Sequence, residues 1–462
     1  MGTYKTSTGL WLLDRKKVRN AIIITSKVGK GAYYSDFYKC LPEAWELYNV
    51  DLHKTTLRIE DFEKEVNFGS LLTTIQTGKH NHPMVLLIHY DCLTNKANES
   101  TRKKDKGGFG ILDKLRKIEW DMILCDEAHK LKNPKTQWTR NIKKIKAKNK
   151  HIMTGTGFVN NPAEMWSLLN FLNKDEWGNY DRFRTYFCDE IIVGGFRQIV
   201  GIRPYRVDEF RALRKRLGPR HTMAEVHSNI AAPIEIAREV DLNPTQRRMY
   251  NEIKSVLQTL DQAGETLSSP NVLSQLNRLR QICVATPQVN SYDFSTKQNR
   301  MVYDIELTEP SSKLDEVIDI IKELDEPDQQ VVVFSNFRDP LTLLERRLDK
   351  AQIPHLHMQQ QHSGAERYRL WHDVWPTKQH KVFLSTLALG GESINLACAS
   401  YLIFLDRSWS PAQMLQAVGR VHRPGQRGTV EVIHINAKNT VDSYVKARLD
   451  KKEGWFHEIF RD

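Results

Sequence analysis

Short apolar runs separated by stretches of helical periodicity dominate the first third of the chain. The runs are rich in β-branched and large aliphatic residues, as expected for buried strands. They cover residues 21–25, 84–89, 121–126 and 151–154. Residues 34–47 and 163–172 place apolar side chains at helical spacing, which predicts amphipathic helices. Strands that alternate with helices predict an α/β fold with a doubly wound parallel sheet.

The same pattern begins again after residue 300, which predicts a second domain. A helix is expected over residues 313–324, and strands over 331–335, 381–385, 401–405 and 430–435. Residues 174–300 contain few strand-like runs and several basic, helix-like stretches. We therefore expect a first lobe at 1–230 with a helical insertion from about 174, a helical linker at 231–300 and a second lobe at 301–462.

The charge of the chain indicates an anionic partner. There are 68 Lys and Arg residues against 56 Asp and Glu, a net charge of +12. Residues 101–150 hold 16 of the basic residues and 6 of the acidic ones, so this stretch carries most of the excess. Two alternatives fit residues 141–150, a solvated helix face or a segment that contacts nucleic acid.

Cysteine usage and hydropathy predict a soluble intracellular protein. The six cysteines lie far apart and include no C-x-x-C, so neither a disulfide framework nor a zinc module is expected. The apolar runs are much shorter than the ~20 residues of a membrane helix, and no membrane partner is expected. The predicted location is the cytoplasm or nucleoid for a bacterial or phage protein, and the nucleus for a eukaryotic one.

The first residues match the second half of a phosphate-binding loop. In such loops backbone N–H groups surround the phosphates, a lysine neutralises them, and a Ser or Thr hydroxyl binds magnesium. Lys5 and Thr6 are candidates for the two side-chain roles, and Gly2, Thr3 and Tyr4 for backbone contacts to ATP. Tyr4 stands where a glycine normally lets the backbone approach the phosphate, so we expect reduced ATP affinity.

Two adjacent carboxylates, Asp126 and Glu127, end the apolar run at 121–126. Ligands bind at the carboxyl ends of strands in parallel sheets. Asp126 is suited to hold magnesium through water, and Glu127 to orient and deprotonate an attacking water. The alternative is a strand that ends in two solvated acids.

Several stretches together resemble the Swi/Snf family of superfamily-two helicase-like DNA translocases. "DEAHKLKN" at 126–133 and "MTGTGFVNNPAEMWSLLNFLN" at 153–173 resemble motifs II and III, and "VVVFSNF" at 331–337 resembles motif IV. Residues 384–426 resemble motifs V and VI and end in a Q-x-x-G-R-x-H-R-x-G-Q run, the most specific part of the match. The resemblance spans nearly the whole chain.

The resemblance implies two RecA-like lobes with ATP and magnesium in the cleft and double-stranded DNA as partner. It also implies catalytic roles for Gln416, Arg420 and Arg423. Because the two arginines are three residues apart, we expect both on one helix face, directed as arginine fingers toward the γ-phosphate.

Further roles implied by the resemblance concern coupling between the lobes and DNA contact. The coupling residues are Thr154, Gly155 and Thr156, and His129 is expected among the nucleotide-binding residues, positioned to relay between the nucleotide site and the second lobe. Hydroxyls, an amide, small glycines and a lysine after predicted strands suit contact with a phosphate backbone. These DNA candidates are Ser26 and Lys27 in the first lobe, and Ser335, Ser385, Thr386, Gly390, Gly391 and Asn395 in the second.

The start of the chain departs most from the family pattern. Gly157, Ser393 and Gln360 replace residues usual in the family, but these changes are mild. By contrast, no strand precedes residues 2–6, although the phosphate loop of the family follows a central strand. Loss of a central strand would leave unpaired edges and cost ~5 to 15 kcal/mol, the stability of a whole domain. We therefore expect Met1 to be internal to a longer protein.

The sequence thus predicts an ATP-dependent motor that moves on double-stranded DNA. One alternative is a catalytically weakened DNA-binding scaffold, which Tyr4 favours and the intact "DEAH" and "GRVHR" runs oppose. A second alternative is a strand-separating helicase or the motor subunit of a restriction system. Protein partners are not indicated, and the lack of a chromatin-reading segment favours a bacterial or phage source.

Overall fold

The computed structural model divides the chain into two compact units. Among the residues that the structure describes, the first unit contains those of 4–190 and 199–218, and the second contains those of 191–198 and 219–447. The residues described are 4–27, 29–50, 55–59, 62–104, 110–155, 162–193, 196–219, 221, 223–227, 229–262, 270–295, 300–324, 329–390, 394–426 and 428–447.

The first unit is built on a seven-stranded sheet in its described part. Its strands are β1 (Asn20–Thr25), β2 (Glu46–Val50), β3 (Thr55–Ile59), β4 (Phe62–Glu65), β5 (Met84–His89), β6 (Glu119–Cys125) and β7 (Lys146–Ile152). The strand order is β4-β3-β2-β5-β1-β6-β7. The five strands from β2 to β7 in this order are parallel, whereas β3 and β4 are antiparallel additions at one edge.

Helices cover both faces of this sheet. They are α1 (Lys5–Arg15), α2 (Lys30–Cys40), α3 (Phe68–Gln76), α4 (Asn95–Lys104), α5 (Ile111–Leu115), α6 (Gln137–Ile142) and α7 (Glu164–Leu172). Ile22 and Ile24 of β1 pack on one face against α3, α5 and α7. Ile23 packs on the other face against α1 and α2. The two cores explain why β1 reads as an unbroken apolar run.

The insertion after residue 174 is mixed rather than helical alone. It contains α8 (Tyr180–Phe187), β8 (Cys188–Val193), β9 (Phe196–Ile202) and α9 (Val207–Leu217). The strands β8 and β9 pair with each other in a separate two-stranded sheet.

The second unit has a six-stranded sheet that is parallel throughout its described part. The strands of this unit are β10 (Ile234–Val240), β11 (Thr286–Ser295), β12 (Arg300–Thr308), β13 (Val331–Ser335), β14 (His355–Met358), β15 (Val382–Thr386), β16 (Tyr401–Phe404) and β17 (Glu431–Ala437). The sheet order is β10-β17-β16-β13-β15-β14, and β11 and β12 form a separate antiparallel hairpin.

The helices of the second unit pack on this sheet and extend from it. They are α10 (Met223–Val226), α11 (Pro244–Gln262), α12 (Pro270–Val284), α13 (Ser312–Glu323), α14 (Asp339–Lys350), α15 (Gly364–Arg369), α16 (Leu387–Gly390) and α17 (Pro411–Val421). Apolar side chains of α13 and α14 form one core with β13, β15 and β16. The prediction of an α/β fold with two parallel sheets, as in two RecA-like lobes, is confirmed.

Several element predictions need correction. The helix predicted over 34–47 ends at Cys40, because Pro42 follows and cannot continue it, and β2 begins at Glu46. Residues 141–150 do not form a helix face, since α6 ends at Ile142 and β7 begins at Lys146. The linker predicted over 231–300 contains α11 and α12, but also β10 and much of the β11–β12 hairpin.

The first sheet has no interior gap among its described strands. The middle one of the five parallel strands, β1, pairs with β5 on one side and β6 on the other, and β7 lies at the edge. No helix in the described parts of the chain is long and apolar enough to cross a membrane.

Candidate nucleotide site

The candidate site lies at the carboxyl end of β6, which lies between β1 and the edge strand β7 of the first sheet. The backbone N–H of Asp126 donates to the carbonyl of Ile24 at 2.8 Å, so the pairing of β6 with β1 continues one residue past the strand. The Asp126 carboxylate accepts hydrogen bonds from the Glu127 N–H at 2.9 Å and the Thr25 hydroxyl at 3.2 Å. These bonds hold a buried carboxylate in one orientation.

Two carboxylates are buried side by side at this point. Burial raises the pKa of the Asp126 carboxyl above its ordinary value, and the charge of Glu127 raises it further, whereas Lys5 lowers it. A buried pair of like charges costs stability, which proteins accept mainly where a positively charged ligand or group completes the site. Solvated acids at a strand end, the alternative for this pair, are not what the structure contains.

The Glu127 carboxylate lies close to two side chains, that of Lys5 at the start of α1 and that of His129 in the turn after β6. Its Oε1 is 3.2 Å from Lys5 Nζ, across 122 residues of sequence. Its Oε2 is 3.3 Å from Nδ1 of His129, which lies in the 3₁₀ turn Ala128–Lys132. The backbone of Glu127 is left-handed, with φ 49° and ψ 47°. The structure therefore brings together Lys5, Asp126, Glu127 and His129.

A glycine in α1 allows the approach that brings Lys5 to this site. A Cβ atom on Gly9 would lie 2.8 Å from Leu124 Cδ2 and 3.0 Å from Met153 Cε. Any side chain there would push α1 away from β6. Gly9 was missed by the sequence analysis, although an isolated glycine inside a helical pattern is itself a signal of close packing.

Tyr4 adopts a backbone conformation that favours glycine. It precedes α1 with φ 53° and ψ 34°, and its side chain is 57% exposed. Its carbonyl accepts hydrogen bonds from the N–H and the hydroxyl of Thr8, at 2.9 and 2.8 Å. The position thus requires the glycine-like backbone that the loop pattern predicts, with an aromatic ring added. Gly2 and Thr3 lie outside the described residues.

Replacing Tyr4 tests whether its ring limits nucleotide binding. We expect Tyr4→Gly to bind ATP roughly threefold to tenfold more tightly than the wild type, equivalent to ~1 kcal/mol, because the ring beside the triphosphate is removed. Titration with a fluorescent ATP analogue measures the affinity. Tyr4→Ala is a second test of the ring, since alanine removes it and keeps a residue other than glycine in the left-handed conformation. Equal affinities for all three proteins would show that Tyr4 does not limit binding.

The predicted coupling residues follow directly from strands of the site. The N–H of Ala128 donates to the carbonyl of Met153 at 3.0 Å, and the N–H of Met153 donates to the carbonyl of Cys125 at 2.8 Å. These bonds join the turn after β6 to the end of β7. Thr154 and Gly155 follow directly in the sequence. Thr156 lies outside the described residues.

The two first-unit DNA candidates have different surroundings. Ser26 is buried, and its hydroxyl accepts a hydrogen bond from the Gly29 N–H at 3.0 Å, so it stabilises the turn before α2. Lys27 has a side chain 61% exposed and forms an ion pair with Asp91 at 3.2 Å. Of the two, Lys27 is the residue presented to solvent.

Gln416 and Arg420 are buried in α17, but Arg423 lies beyond that helix. The helix ends at Val421, and the backbone of His422 has ψ 90°. Arg423 precedes Pro424, and a residue before proline is disfavoured from helical geometry. The expectation that both arginines share one helix face is therefore wrong. The Arg423 Nε–H instead donates to the carbonyl of Gly419 at 2.7 Å.

The second-unit DNA candidates lie near the carboxyl ends of β13 and β15. Ser335 and Ser385 are fully buried, and their hydroxyls donate to Asp406 Oδ1 at 2.6 Å and to the Thr386 carbonyl at 3.2 Å. A Cβ atom on Gly390 would lie 2.1 Å from Phe334 Cε1, so this glycine serves packing. Asn395 is exposed, and its Oδ1 accepts from the Ala397 N–H at 3.3 Å. Gly391 lies outside the described residues.

Sequence reasoning missed a buried ion pair beside Ser335. Arg280 of α12 lies 3.2 Å from Asp406, and the two side chains are 6% and 1% exposed. The Arg280 guanidinium also lies between the rings of Phe337 and Trp409, at 5.4 and 5.3 Å from their centroids. No local sequence pattern indicates a pair whose two members are 126 residues apart.

Three lysines of the basic stretch contact their own unit. Lys143 lies 5.1 Å from the centre of the Trp166 ring, and Lys150 lies 5.5 Å from that of Phe171. Lys148 forms an ion pair with Asp121 at 2.8 Å. For these three side chains, the contacts favour a structural role over binding of nucleic acid.

The donor groups present fit magnesium bound together with a nucleotide. In the part of the chain that is described, no group of three or more His, Cys, Asp or Glu side chains is arranged to hold a metal alone. Magnesium usually takes only one or two carboxylates from the protein, with phosphate and water oxygens for the rest. The anchored Asp126 carboxylate and the Thr6 hydroxyl in the first turn of α1 are donors of this kind.

Comparison with protein-family models gives two matches that follow one another along the chain. The model described as "SNF2-related domain" matches residues 52–288, a little over half of the 462 residues. The chain belongs to the SNF2-related family. The model described as "Helicase conserved C-terminal domain" matches residues 312–425. The resemblance to the Swi/Snf family is confirmed. SNF2 membership implies an ATP-dependent motor.

Curated relatives of this SNF2 chain are much longer than it is. The human "SWI/SNF-related matrix-associated actin-dependent regulator of chromatin subfamily A member 1" is 27% identical over 351 residues, which are 73% of this chain and 32% of that protein. The "ISWI chromatin-remodeling complex ATPase ISW1" of Saccharomyces cerevisiae is 27% identical over 346 residues, 73% of this chain and 29% of that protein. This chain thus spans about a third of the relatives it matches.

A solved structure matches part of this SNF2 chain. It is described as "Crystal structure of the C-terminal part of Fun30 ATPase domain", and it matches with a TM-score of 0.39 and 16% identity. The match covers 50% of this chain and 99% of that one.

Proposed function

We propose that the chain is an ATP-dependent translocase that moves on double-stranded DNA. The observation that carries the proposal is the meeting of Lys5 and Glu127 at 3.2 Å beside the buried Asp126. A lysine at the start of a helix and two acids at the end of a neighbouring strand are the groups that phosphoryl transfer to water requires. The family match begins after Lys5, so the geometry is an independent support for this site.

Lys5 is proposed to leave Glu127 and bind the triphosphate during hydrolysis. The triphosphate of ATP carries more negative charge than the Glu127 carboxylate, so it is expected to draw Lys5 to itself. Glu127 is then released to orient a water molecule and accept its proton as the water attacks the γ-phosphate. His129 lies 3.3 Å from Glu127. It is proposed to transmit the release of Glu127 to the coupling residues Thr154 and Gly155.

Asp126 and Thr6 would hold the magnesium ion that accompanies the nucleotide. When bound, the ion would neutralise charge on the phosphates. Gln416, Arg420 and Arg423 are proposed to take part in hydrolysis, with the arginines adding positive charge as the reaction proceeds. Arg423 acts in this proposal from the segment after α17 rather than from the helix.

Contact with the DNA backbone is proposed for the candidates that face solvent. Lys27 and Asn395 are exposed, so they can reach a phosphate without rearrangement. Ser335 and Ser385 are proposed to shape the strand ends, because their hydroxyls bond within the unit. A scaffold without hydrolysis is the second candidate function, and the ring of Tyr4 is the observation that favours it.

Hydrolysis measured with and without DNA tests the proposal. We expect duplex DNA to stimulate the ATPase rate more than a single strand of the same length. Affinity for duplex should fall roughly 10³-fold or more between 50 and 200 mM salt if about six phosphates are contacted. A hydrolysis rate that does not depend on DNA would argue against translocation, and so would DNA binding that is insensitive to salt. DNA binding with no hydrolysis would support the scaffold.

A further inference from the structure

A buried tyrosine hydroxyl lies against the backbone of the candidate catalytic turn. Tyr90 follows β5 directly, and its side chain is 3% exposed. Its hydroxyl donates a hydrogen bond of 2.7 Å to the backbone carbonyl of Asp126. Because β1 lies between β5 and β6, this bond crosses the carboxyl end of β1. The sequence analysis assigned no role to Tyr90.

The bond fixes one side of the peptide group that connects Asp126 to Glu127. On the other side of the same peptide, the N–H of Glu127 donates to its neighbour's carboxylate at 2.9 Å. The Asp126 N–H still bonds to Ile24 of β1, whereas its carbonyl bonds to a side chain. The sheet ladder therefore ends here, and Tyr90 supplies the hydrogen bond that a further strand residue would have supplied.

The orientation of this peptide sets the position of the Glu127 side chain. Glu127 has a left-handed backbone, with φ 49°, which a glutamate adopts only when its surroundings impose it. In that conformation its carboxylate lies 3.2 Å from Lys5 and 3.3 Å from His129. Rotation of the peptide toward an unstrained conformation would move the carboxylate away from both.

We propose that Tyr90 is a positioning residue that holds Glu127 in place for hydrolysis. This inference rests on the proposed function and deepens it. The aromatic ring of Tyr90 packs in the core between the sheet and helices α3, α5 and α7. Packing in the core requires the ring but not the hydroxyl. The positioning role accounts for the hydroxyl.

The variant Tyr90→Phe tests the proposal in the full chain. It keeps the ring and removes the hydroxyl. We expect kcat for ATP hydrolysis to fall roughly 10- to 100-fold while KM for ATP stays within about twofold, because the reacting group is displaced and the phosphate-binding lysine is not. Tyr48→Phe is the matched control, since Tyr48 is also buried in this core and its hydroxyl donates to Glu46 at 2.8 Å. Its kcat should equal that of the wild type.

A double variant separates positioning from a general loss of structure. If Tyr90 acts through Glu127, then Tyr90→Phe should cause no further loss of rate when combined with Glu127→Gln. An unchanged kcat in Tyr90→Phe, or the same loss of kcat in Tyr48→Phe, would overturn the positioning role while the wild-type rate still supports the proposed function. Losses that multiply in the double variant would also overturn it. Absence of hydrolysis by the wild type would overturn both.

Discussion

Glu127→Gln is expected to lower the DNA-stimulated ATPase rate by roughly 10²- to 10⁴-fold, the range typical of a lost general base. Glutamine has the same shape as glutamate but cannot accept a proton from water at neutral pH. The substitution also removes the partner of Lys5 and the charge that raises the pKa of Asp126. We therefore expect ATP binding to be retained or strengthened, because Lys5 is then available to the phosphates alone.

The control for this experiment is Glu164→Gln in α7. Glu164 has a side chain 13% exposed and lies 3.3 Å from Lys132, whereas Glu127 is 10% exposed and lies 3.2 Å from Lys5. The two glutamates thus have similar burial and a similar ion pair with a lysine, and they differ in their position in the first unit. Steady-state hydrolysis and nucleotide titration on both variants give the result. A similar rate loss in the two proteins, or a normal rate in Glu127→Gln, would remove Glu127 from the mechanism.

Asp406→Asn is expected to destabilise the second unit by ~3 to 5 kcal/mol, the cost of breaking a buried ion pair by removing one partner. The Asp406 carboxylate accepts hydrogen bonds from the Ser335 hydroxyl at 2.6 Å, the Asn336 N–H at 3.0 Å and Arg280 at 3.2 Å. Both of its oxygens therefore face donors, so an amide NH₂ group would face a donor on either side. The Arg280 guanidinium would remain buried without a counter-charge.

Arg280→Met should cost less than Asp406→Asn. Methionine fills the space between the two rings, and the Asp406 carboxylate keeps its bonds to Ser335 and Asn336. Asp241→Asn is the control, since Asp241 belongs to the same unit and pairs with Lys438 at 3.1 Å through a side chain 73% exposed. Exposed pairs contribute little to stability. Urea denaturation followed by circular dichroism measures the midpoints, and equal midpoints for Asp406→Asn and Asp241→Asn would refute the expectation.

Local patterns were sufficient for the central strands and for the pair of candidate catalytic carboxylates. The runs that became β1, β5 and β13 are buried on both faces, so apolar continuity marks them clearly. Asp126 and Glu127 could be found because they directly follow such a run. Their contact with Lys5 could be inferred only through a loop pattern that is incomplete in this chain.

The end of α17 and the contacts between distant residues were predicted poorly. The place of Arg423 depended on Pro424, whose effect on the preceding residue outweighed the helical spacing. Arg280 and Asp406 come from distant parts of the chain, and a single residue with no periodic neighbours gives no sign of its partner. Tyr90 was hidden for a related reason, because a tyrosine after an apolar strand reads as core and its hydroxyl bond is visible only in three dimensions.

The position of β7 at the edge of the first sheet has a consequence for the behaviour of the protein in solution. Among the described strands, only β6 pairs with it, so its outer N–H and C=O groups are a template for another strand. Lys146 and Lys148 are exposed on this strand. Lysines on an edge strand oppose the joining of two sheets into an aggregate. We therefore expect Lys146 and Lys148 to disfavour pairing of this edge with a second copy of the chain, and this effect to weaken as added salt screens their charges.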